Sequence, residues 1–191
     1  MFYRVVKLIV TIIAHIIYRF DVTGRENIPQ SGAFLLCANH IHAFDPVMVA
    51  VFSKRQPRFM AKKEAFNISV FGAFLRALGA YPIDRGAADM KAFRHSMDIL
   101  KQGEGLLIFS QGTRMKEFEN SKGGVALFAL KSGAPIVPIG IVGNYRPFTK
   151  IRINIGEPIP MDKYKGQKVK SELVDEVMEI VVDRIKKQCS L

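Results

Sequence analysis

Short apolar runs alternate along the chain with longer segments in which apolar residues recur at helical spacing. The short runs predict buried strands and the longer segments predict helices. The predicted strands are Ala33–Ala38, Arg58–Ala61, Ala80–Ile83, Gly105–Phe109, Ile136–Val142 and Ile151–Ile155. The predicted helices are Pro46–Ser53, Glu64–Leu78, Ala87–Gln102, Lys122–Lys131 and Ser171–Lys187. This alternation predicts one α/β domain over residues 21–191, with helices flanking a largely parallel mixed sheet.

Residues 1–20 form a separate amphipathic segment. Its polar positions, three or four residues apart, are Arg4, Lys7, Thr11, His15 and Arg19. On a helix this spacing gives one narrow stripe with basic and no acidic groups, and the remaining surface is apolar. Such a helix suits the interface of an anionic bilayer, so Arg4, Lys7 and Arg19 are predicted to contact lipid headgroups. The alternative is a core helix, which would have to find partners for these three charges.

The same segment is predicted neither to span a membrane nor to be a cleaved leader. Its apolar stretch, Leu8–Tyr18, has 11 residues, whereas a spanning helix needs about 20. Residues 20–23 offer no small-residue cleavage site. We therefore expect a peripheral association with the membrane surface.

A net charge of +11 favours a polyanionic partner such as nucleic acid, an anionic membrane or a phosphorylated substrate. The basic residues are spread along the chain, and no zinc-ligand spacing, aromatic RNA-binding block or basic recognition helix accompanies them. Neither Cys37 nor Cys189 belongs to a metal-ligand pattern. The sequence thus disfavours nucleic acid binding and predicts no metal site.

Three polar clusters follow predicted strands directly: Asn39–Asp45, Asp84–Gly86 and Ser110–Arg114. In an open α/β sheet, ligands bind outside the carboxyl ends of the strands, so these clusters are expected to converge on one site. In the first cluster, Asp45 could hold His40 in one tautomer while the other ring nitrogen takes a proton. Asp45 also precedes Pro46 and is predicted to be a helix N-cap, a role compatible with orienting His40. His42 has no carboxylate at the matching spacing and is interpreted as a structural or substrate-contacting residue.

The other two clusters each contain an arginine beside glycine. Arg85 precedes Gly86, and Arg114 follows Gly112 and Thr113. Arginine offers a planar fork of donors with a permanent charge, and glycine lets backbone amides approach an anion closely. A lone arginine would be interpreted as half of a surface ion pair, but two on separate loops favour a phosphate site.

Four blocks, in order over residues 24–158, resemble those of the glycerolipid acyltransferases typified by 1-acylglycerol-3-phosphate acyltransferase. They are Asn39–Asp45 (N-H-x4-D), Gly79–Arg85 (G-x-x-x-I-D-R), Phe109–Arg114 (similar to F-P-E-G-T-R) and Ala134–Ile139. The resemblance implies that His40 is the general base and Asp45 its orienting partner. It implies that the acceptor's phosphate is bound by Arg85 and Arg114 with Gly112 and Thr113, and that the supporting residues are Asn39, Asp84 and Gln111.

The implied reaction transfers a fatty acyl group from acyl-CoA or acyl carrier protein to the sn-2 hydroxyl of 1-acylglycerol 3-phosphate (lysophosphatidic acid), giving phosphatidic acid. It needs no bound cofactor and no acyl-enzyme. The implied location is peripheral, on the cytoplasmic face of a bacterial cell membrane. The alternatives are another acceptor, such as glycerol 3-phosphate, and a non-catalytic basic membrane-binding protein.

Two residues depart from the family pattern. Ser110 stands where the family usually has Pro, and Gln111 stands where it usually has Glu. Glutamine keeps the shape of glutamate, loses the charge and gains two donors, so a carboxylate cannot be essential at this position in an active enzyme. The substitution either strengthens binding of an anionic substrate beside Arg114 or weakens the activity.

Overall fold

The computed structural model describes residues 2–84, 90–110 and 123–191. The strands in these ranges are β1 (Arg19–Thr23), β2 (Phe34–Ala38), β3 (Pro57–Lys62), β4 (Ala80–Ile83), β5 (Gly105–Phe109), β6 (Ile136–Gly143) and β7 (Lys150–Ile155). The α-helices are α1 (Phe2–Ile17), α2 (Asp45–Phe52), α3 (Ser69–Ala77), α4 (Met90–Lys101), α5 (Gly124–Ser132) and α6 (Ser171–Ser190). All six predicted strands are present.

The strands form a single sheet in the order β1-β7-β6-β2-β5-β3-β4. The five strands from β6 to β4 are parallel, and β7 joins β6 antiparallel, with β1 parallel to β7 at the edge. This confirms the predicted α/β class with a largely parallel mixed sheet. The central strand β2 is buried on both faces, which is why its sequence is a continuous apolar run.

Two hydrophobic clusters cover the two faces of the sheet. Alternate residues of β2 divide between them, with Leu36 in one cluster and Cys37 in the other. Helices α1, α2 and α3 lie on the first face, and α4, α5 and α6 lie on the second. Gly140 of β6 lets α6 approach closely, because an added Cβ would come within 2.5 Å of the backbone of Gln188.

The N-terminal segment differs from the prediction at its end. Helix α1 ends at Ile17, and Arg19 begins β1, so Arg19 does not belong to the helical stripe. Strand β1 was not predicted, because it depends on pairing with β7, where Phe20 lies opposite Ile151. No helix in the described ranges is both long enough and apolar enough to cross a bilayer.

The helix predicted over Glu64–Leu78 is interrupted. A 3-10 turn over Lys63–Phe66 places Phe66 in the core, and α3 starts only at Ser69. Ile68 between them is extended, with φ −84° and ψ 106°. The apolar periodicity of the sequence continues through this interruption, so the periodicity could not reveal that the helix is broken.

Candidate active site

Parallel pairing brings the ends of β2, β5 and β6 to one edge of the sheet. Strands β5 and β6 are the two neighbours of β2. Ser110, which follows β5, lies beside the β2 end at about one strand spacing, about 5 Å. Strand β6 continues past Ile139, the partner of Ala38, to Gly143. Asp84, exposed after β4, lies at the same edge but three strands away from β2. The predicted residues Arg85, Gln111, Gly112, Thr113 and Arg114 lie outside the described residues.

His40 and Asp45 are hydrogen-bonded to each other. The distance from His40 Nδ1 to Asp45 Oδ2 is 2.8 Å. The Asp45 side chain is fully buried, whereas the His40 side chain is 25% exposed. We call this pair the dyad. It combines a rigid carboxylate with an imidazole that solvent can reach.

Four donors surround the Asp45 carboxylate. Oδ2 accepts from His40 Nδ1 and from the backbone N–H groups of Ile41 and His42, both at 2.7 Å. Oδ1 accepts from the Tyr145 hydroxyl at 2.7 Å. Burial raises the pKa of Asp45, but these hydrogen bonds outweigh it and hold the pKa below its ordinary value of 3.8.

The ionised carboxylate fixes the tautomer of His40. Because Asp45 can only accept, His40 Nδ1 must carry the hydrogen, which leaves Nε2 as an acceptor in the neutral ring. Within the part of the chain that the structure describes, Nε2 has no hydrogen-bond partner. The ring packs against Phe109 at the end of β5, with 4.4 Å between ring centroids. In that tautomer, Nε2 is the ring nitrogen left without a partner by the dyad.

The turn before α2 explains why the Asp45 side chain points toward the preceding residues of the chain. We predicted Asp45 as an N-cap, but α2 begins at Asp45 itself and its side chain caps no N–H of that helix. The carboxylate turns back to the N–H groups of Ile41 and His42. The backbone N–H of Asp45 donates to the His42 carbonyl at 3.0 Å, which closes the loop. The N-cap prediction is therefore wrong, although Pro46 does lie in the first turn.

Tyr145, which follows β6, is the site residue that the sequence did not reveal. Besides its bond to Asp45, its ring stacks on His42, with centroids 4.4 Å apart and planes 23° from parallel. Burial and the adjacent negative charge of Asp45 raise the pKa of Tyr145 well above its usual range, so the hydroxyl remains a donor. Its signal was present, because polar residues Asn144–Arg146 follow an apolar strand as the three recognised clusters do.

Asn39 and Ser110 join the strand ends beneath the dyad. The Asn39 amide donates to the Ile141 carbonyl at 2.8 Å and accepts from the Ile141 N–H at 2.7 Å, which extends the β2–β6 pairing by one side chain. The Ser110 N–H donates to the Ala38 carbonyl at 2.8 Å. A proline at this position, as in the family pattern, would lack that donor. The serine therefore adds a bond between β5 and β2 two residues before His40.

The cysteine nearest this edge, Cys37, is not a competent nucleophile. Cys37 is fully buried in β2, and burial raises the pKa of its thiol to about 12. It is therefore protonated at neutral pH. Across the described residues, no group of three or more His, Cys, Asp or Glu side chains is arranged to hold a metal ion.

The predicted membrane-contact residues lie in different surroundings. Lys7 Nζ donates to the Ser53 carbonyl at 2.7 Å and is half-buried against α2, whereas Arg4 and Arg19 are exposed. Helix α1 packs onto the domain through Tyr3, Val6, Val10 and Ala14. The polar stripe lies along one flank of α1, and an apolar face is exposed: Val5, Leu8, Ile9, Ile12, Ile13 and Ile16.

Comparison with known proteins gives a consistent result. The model of a family described as Acyltransferase matches residues 19–142. A 1-acyl-sn-glycerol-3-phosphate acyltransferase of Streptococcus pneumoniae is 33% identical over 171 residues, which cover 84% of this chain and 61% of that protein. The protein of the same name from Bacillus subtilis is 31% identical over 144 residues, covering 72% of each chain.

A solved structure agrees in fold. The crystal structure of the 1-acyl-sn-glycerophosphate (LPA) acyltransferase PlsC from Thermotoga maritima superposes with a TM-score of 0.74 at 25% identity. The superposition covers 97% of this chain and 78% of that one. The dyad and Ser110 fall inside the range that the family model matches, whereas α1 and Tyr145 fall outside it.

Proposed function

This chain belongs to the acyltransferase family, and we propose on that basis that it transfers a fatty acyl group from a thioester carrier to the sn-2 hydroxyl of 1-acylglycerol 3-phosphate. The product is phosphatidic acid. The observation that carries the proposal is the dyad, in which a buried, ionised Asp45 holds His40 with Nε2 free to accept a proton.

The chemistry is a direct transfer. His40 Nε2 takes the proton of the acceptor hydroxyl as its oxygen attacks the thioester carbonyl carbon. The resulting tetrahedral oxyanion collapses, the carbon–sulfur bond breaks, and the thiolate leaves. The proton that His40 took from the acceptor then passes to the thiolate, which leaves a free thiol and a neutral imidazole. The inert state of Cys37 and the position of His40 Nε2 both favour this route over an acyl-enzyme.

The phosphate of the acceptor is proposed to bind Arg85 and Arg114 with the backbone at Gly112 and Thr113, supported by Asp84 and Gln111. The support is topological: β5 is adjacent to β2, and Ser110, which follows β5, is hydrogen-bonded to Ala38 at the β2 end that leads into His40. The donor is proposed to be acyl-CoA or acyl carrier protein, with no bound cofactor. The name shared by the relatives supports lysophosphatidic acid as the acceptor.

The proposed location is the cytoplasmic face of a bacterial membrane, where the enzyme binds peripherally. The exposed apolar face of α1 supports this, because apolar residues at i, i+3, i+4 and i+7 such as Val5, Leu8, Ile9 and Ile12 gain nothing from facing water. Arg4 and Arg19 are both exposed, and they are proposed to contact anionic headgroups. Lys7 already has a partner within the domain and contributes less.

Thiol release from an acyl carrier tests the proposed function. Purified protein is assayed with lysophosphatidic acid in mixed micelles, comparing wild type with His40→Ala. Loss of a general base is expected to lower kcat by about 10²-fold or more. His95→Ala is the matched control, since His95 lies on the exposed side of α4 away from the dyad.

Equal thiol release by wild type and His40→Ala would show that His40 is structural. Acceptor-independent release would argue for a thioesterase. Release with glycerol 3-phosphate and none with lysophosphatidic acid would move the proposal to the alternative acceptor.

A further inference from the structure

Exposed apolar side chains continue from α1 to the loop that carries the dyad. We define the apolar ridge as Ile16, Ile17, Phe148, Phe44 and Ile41, all of which are exposed. Its parts are linked through the backbone and through Tyr145. The Phe148 N–H donates to the Ile17 carbonyl at 2.6 Å, and the ring of Phe44 lies 6.5 Å from that of Tyr145, the tyrosine that holds Asp45.

The backbone at Phe148 is unusual. Phe148 has a φ of 64°, the sole positive value at a non-glycine residue in the described ranges. An aromatic residue is disfavoured in this region, so the conformation must be imposed by its surroundings. Hydrogen bonds hold this turn. The Thr149 hydroxyl lies 2.7 Å from the carbonyls of both Asn144 and Arg146 and can donate its one hydrogen to either, and the Phe148 N–H donates to the Ile17 carbonyl of α1.

This rigid turn places the Phe148 side chain in water, where it is 73% exposed. Folding gains nothing from a strained backbone that exposes a phenylalanine. Strain kept at an exposed apolar side chain therefore indicates a surface that binds something apolar. Phe148 and α1 both lie outside residues 19–142, so the family match does not account for them.

The charges beside the ridge favour an anionic partner. Arg19 and Arg146 are exposed next to it, and neither has an acidic partner among the residues that the structure describes. A second copy of this chain would bring the same basic residues to the contact, and each copy carries a net charge of +11, so the two copies would repel each other. An anionic lipid surface instead offers apolar chains to the ridge and negative headgroups to the arginines.

We infer that the apolar ridge, with Phe148 at its most exposed point, inserts into the surface of an anionic phospholipid bilayer and holds the His40 edge of the sheet against it. The inference rests on the proposed function, since an enzyme that acts on a bilayer lipid needs its base at that surface. The exposed face of α1 and the ridge then form one continuous contact, and its part beyond α1, at Phe148, Phe44 and Ile41, fixes the orientation of the dyad.

A single tryptophan tests insertion directly, because the chain contains none. Phe148→Trp places the probe on the ridge. Val182→Trp is the matched control, on a 36% exposed apolar residue of α6, across the sheet from α1. With vesicles of phosphatidylglycerol and phosphatidylcholine brominated on their acyl chains, we expect at least about twofold stronger quenching at position 148 than at 182. Equal quenching at the two positions, or none at 148, would overturn the inference.

Vesicle flotation measures how much the Phe148 side chain contributes to membrane binding. Phe148→Asn keeps the turn, because asparagine tolerates positive φ, and is expected to weaken binding to phosphatidylglycerol vesicles about tenfold. Unchanged binding would contradict the inference. So would a concentration-dependent dimer, detected by sedimentation, that Phe148→Asn converts to monomer without any change in flotation.

Neither measurement depends on catalysis. If wild type quenches and floats as expected but transfers no acyl group, the proposed function is wrong and the membrane contact stands. If acyl transfer occurs but position 148 is not quenched, the membrane contact is wrong and the proposed function stands.

Discussion

The two ends of the sheet use charged side chains in opposite ways. At the carboxyl end, the Asp45 carboxylate is fully buried and accepts from four donors. At the amino end, Glu104 pairs with Arg58 while their side chains remain 35% and 41% exposed. Nearby Arg55 donates to the carbonyls of Pro29, Gly32 and Gly103.

The difference in burial indicates that the Arg58–Glu104 ion pair and the hydrogen bonds of Asp45 have different roles. A half-exposed pair such as Arg58 and Glu104 loses little water and gains little, typically less than about 1 kcal/mol. A buried carboxylate loses all its water, and it stays ionised only while its donors replace that water. Such an arrangement is costly to build for stability alone, whereas it suits a group that must hold an imidazole in one orientation.

Removing the charge of Asp45 is expected to have the largest effect at the carboxyl end. In Asp45→Asn, the amide oxygen can accept from the three N–H donors while its NH2 group faces Tyr145, so the fold is expected to persist. Without the carboxylate, His40 is no longer held reliably in the productive tautomer, and kcat is expected to fall by about 10²-fold or more. Asp21→Asn, at an exposed pair with Lys150, is the matched control. Equal kcat values for the two variants would contradict the orienting role.

The same variant gives a pH signature in stability. The folded-state pKa of Asp45 is depressed below 3.8, so its contribution is fully present above the unfolded value and is lost as pH falls through the folded one. Denaturant midpoints of wild type should therefore exceed those of Asp45→Asn near neutral pH and converge with them in acid. A difference that persists unchanged in acid would contradict an ionised Asp45.

Tyr145→Phe tests one donor of the four. It leaves Oδ1 of Asp45 buried without its partner, so kcat is expected to fall about tenfold and the free energy of unfolding by about 1 kcal/mol. KM should not change, because Tyr145 is a positioning residue that contacts Asp45 and His42. Tyr164→Phe removes a similar hydrogen bond, to Glu176 at 2.8 Å, on the opposite face of the sheet. A similar loss of kcat in both variants would show that Tyr145 acts only through stability.

Tyr145 also shows where the sequence stopped being informative. Asn39, His40 and Asp45 could be found because they lie within one short segment after an apolar run, and buried parallel strands reveal themselves as such runs. Tyr145 meets Asp45 across 100 residues, and β1 is stabilised by pairing with β7, across 131 residues at Thr23 and Asn154. The polar run after β6 does predict that Tyr145 lies at a strand end, but no local pattern records which distant residue it contacts.

The ridge was missed for a different reason. The periodicity of residues 1–20 predicted an interfacial helix, but periodicity cannot say which side of a helix packs on the domain. Lys7 was assigned to headgroups, whereas it donates to the Ser53 carbonyl. Phe148 lies in a turn with no periodicity, and its exposure follows from a backbone conformation that only the fold imposes.

The smallest effect is expected at the amino end. Glu104→Gln removes the charge that pairs with Arg58 and should lower the free energy of unfolding by less than about 1 kcal/mol, with kcat unchanged. This loss of unfolding free energy should be smaller still at high salt, because both side chains reach solvent and salt screens their attraction. Glu179→Gln on α6 is the control for loss of one negative charge, and a double-mutant cycle with Arg58→Gln isolates the pair itself. A coupling energy well above 1 kcal/mol, or a fall in kcat, would mean that the two ends of the sheet are not as different as their burial indicates.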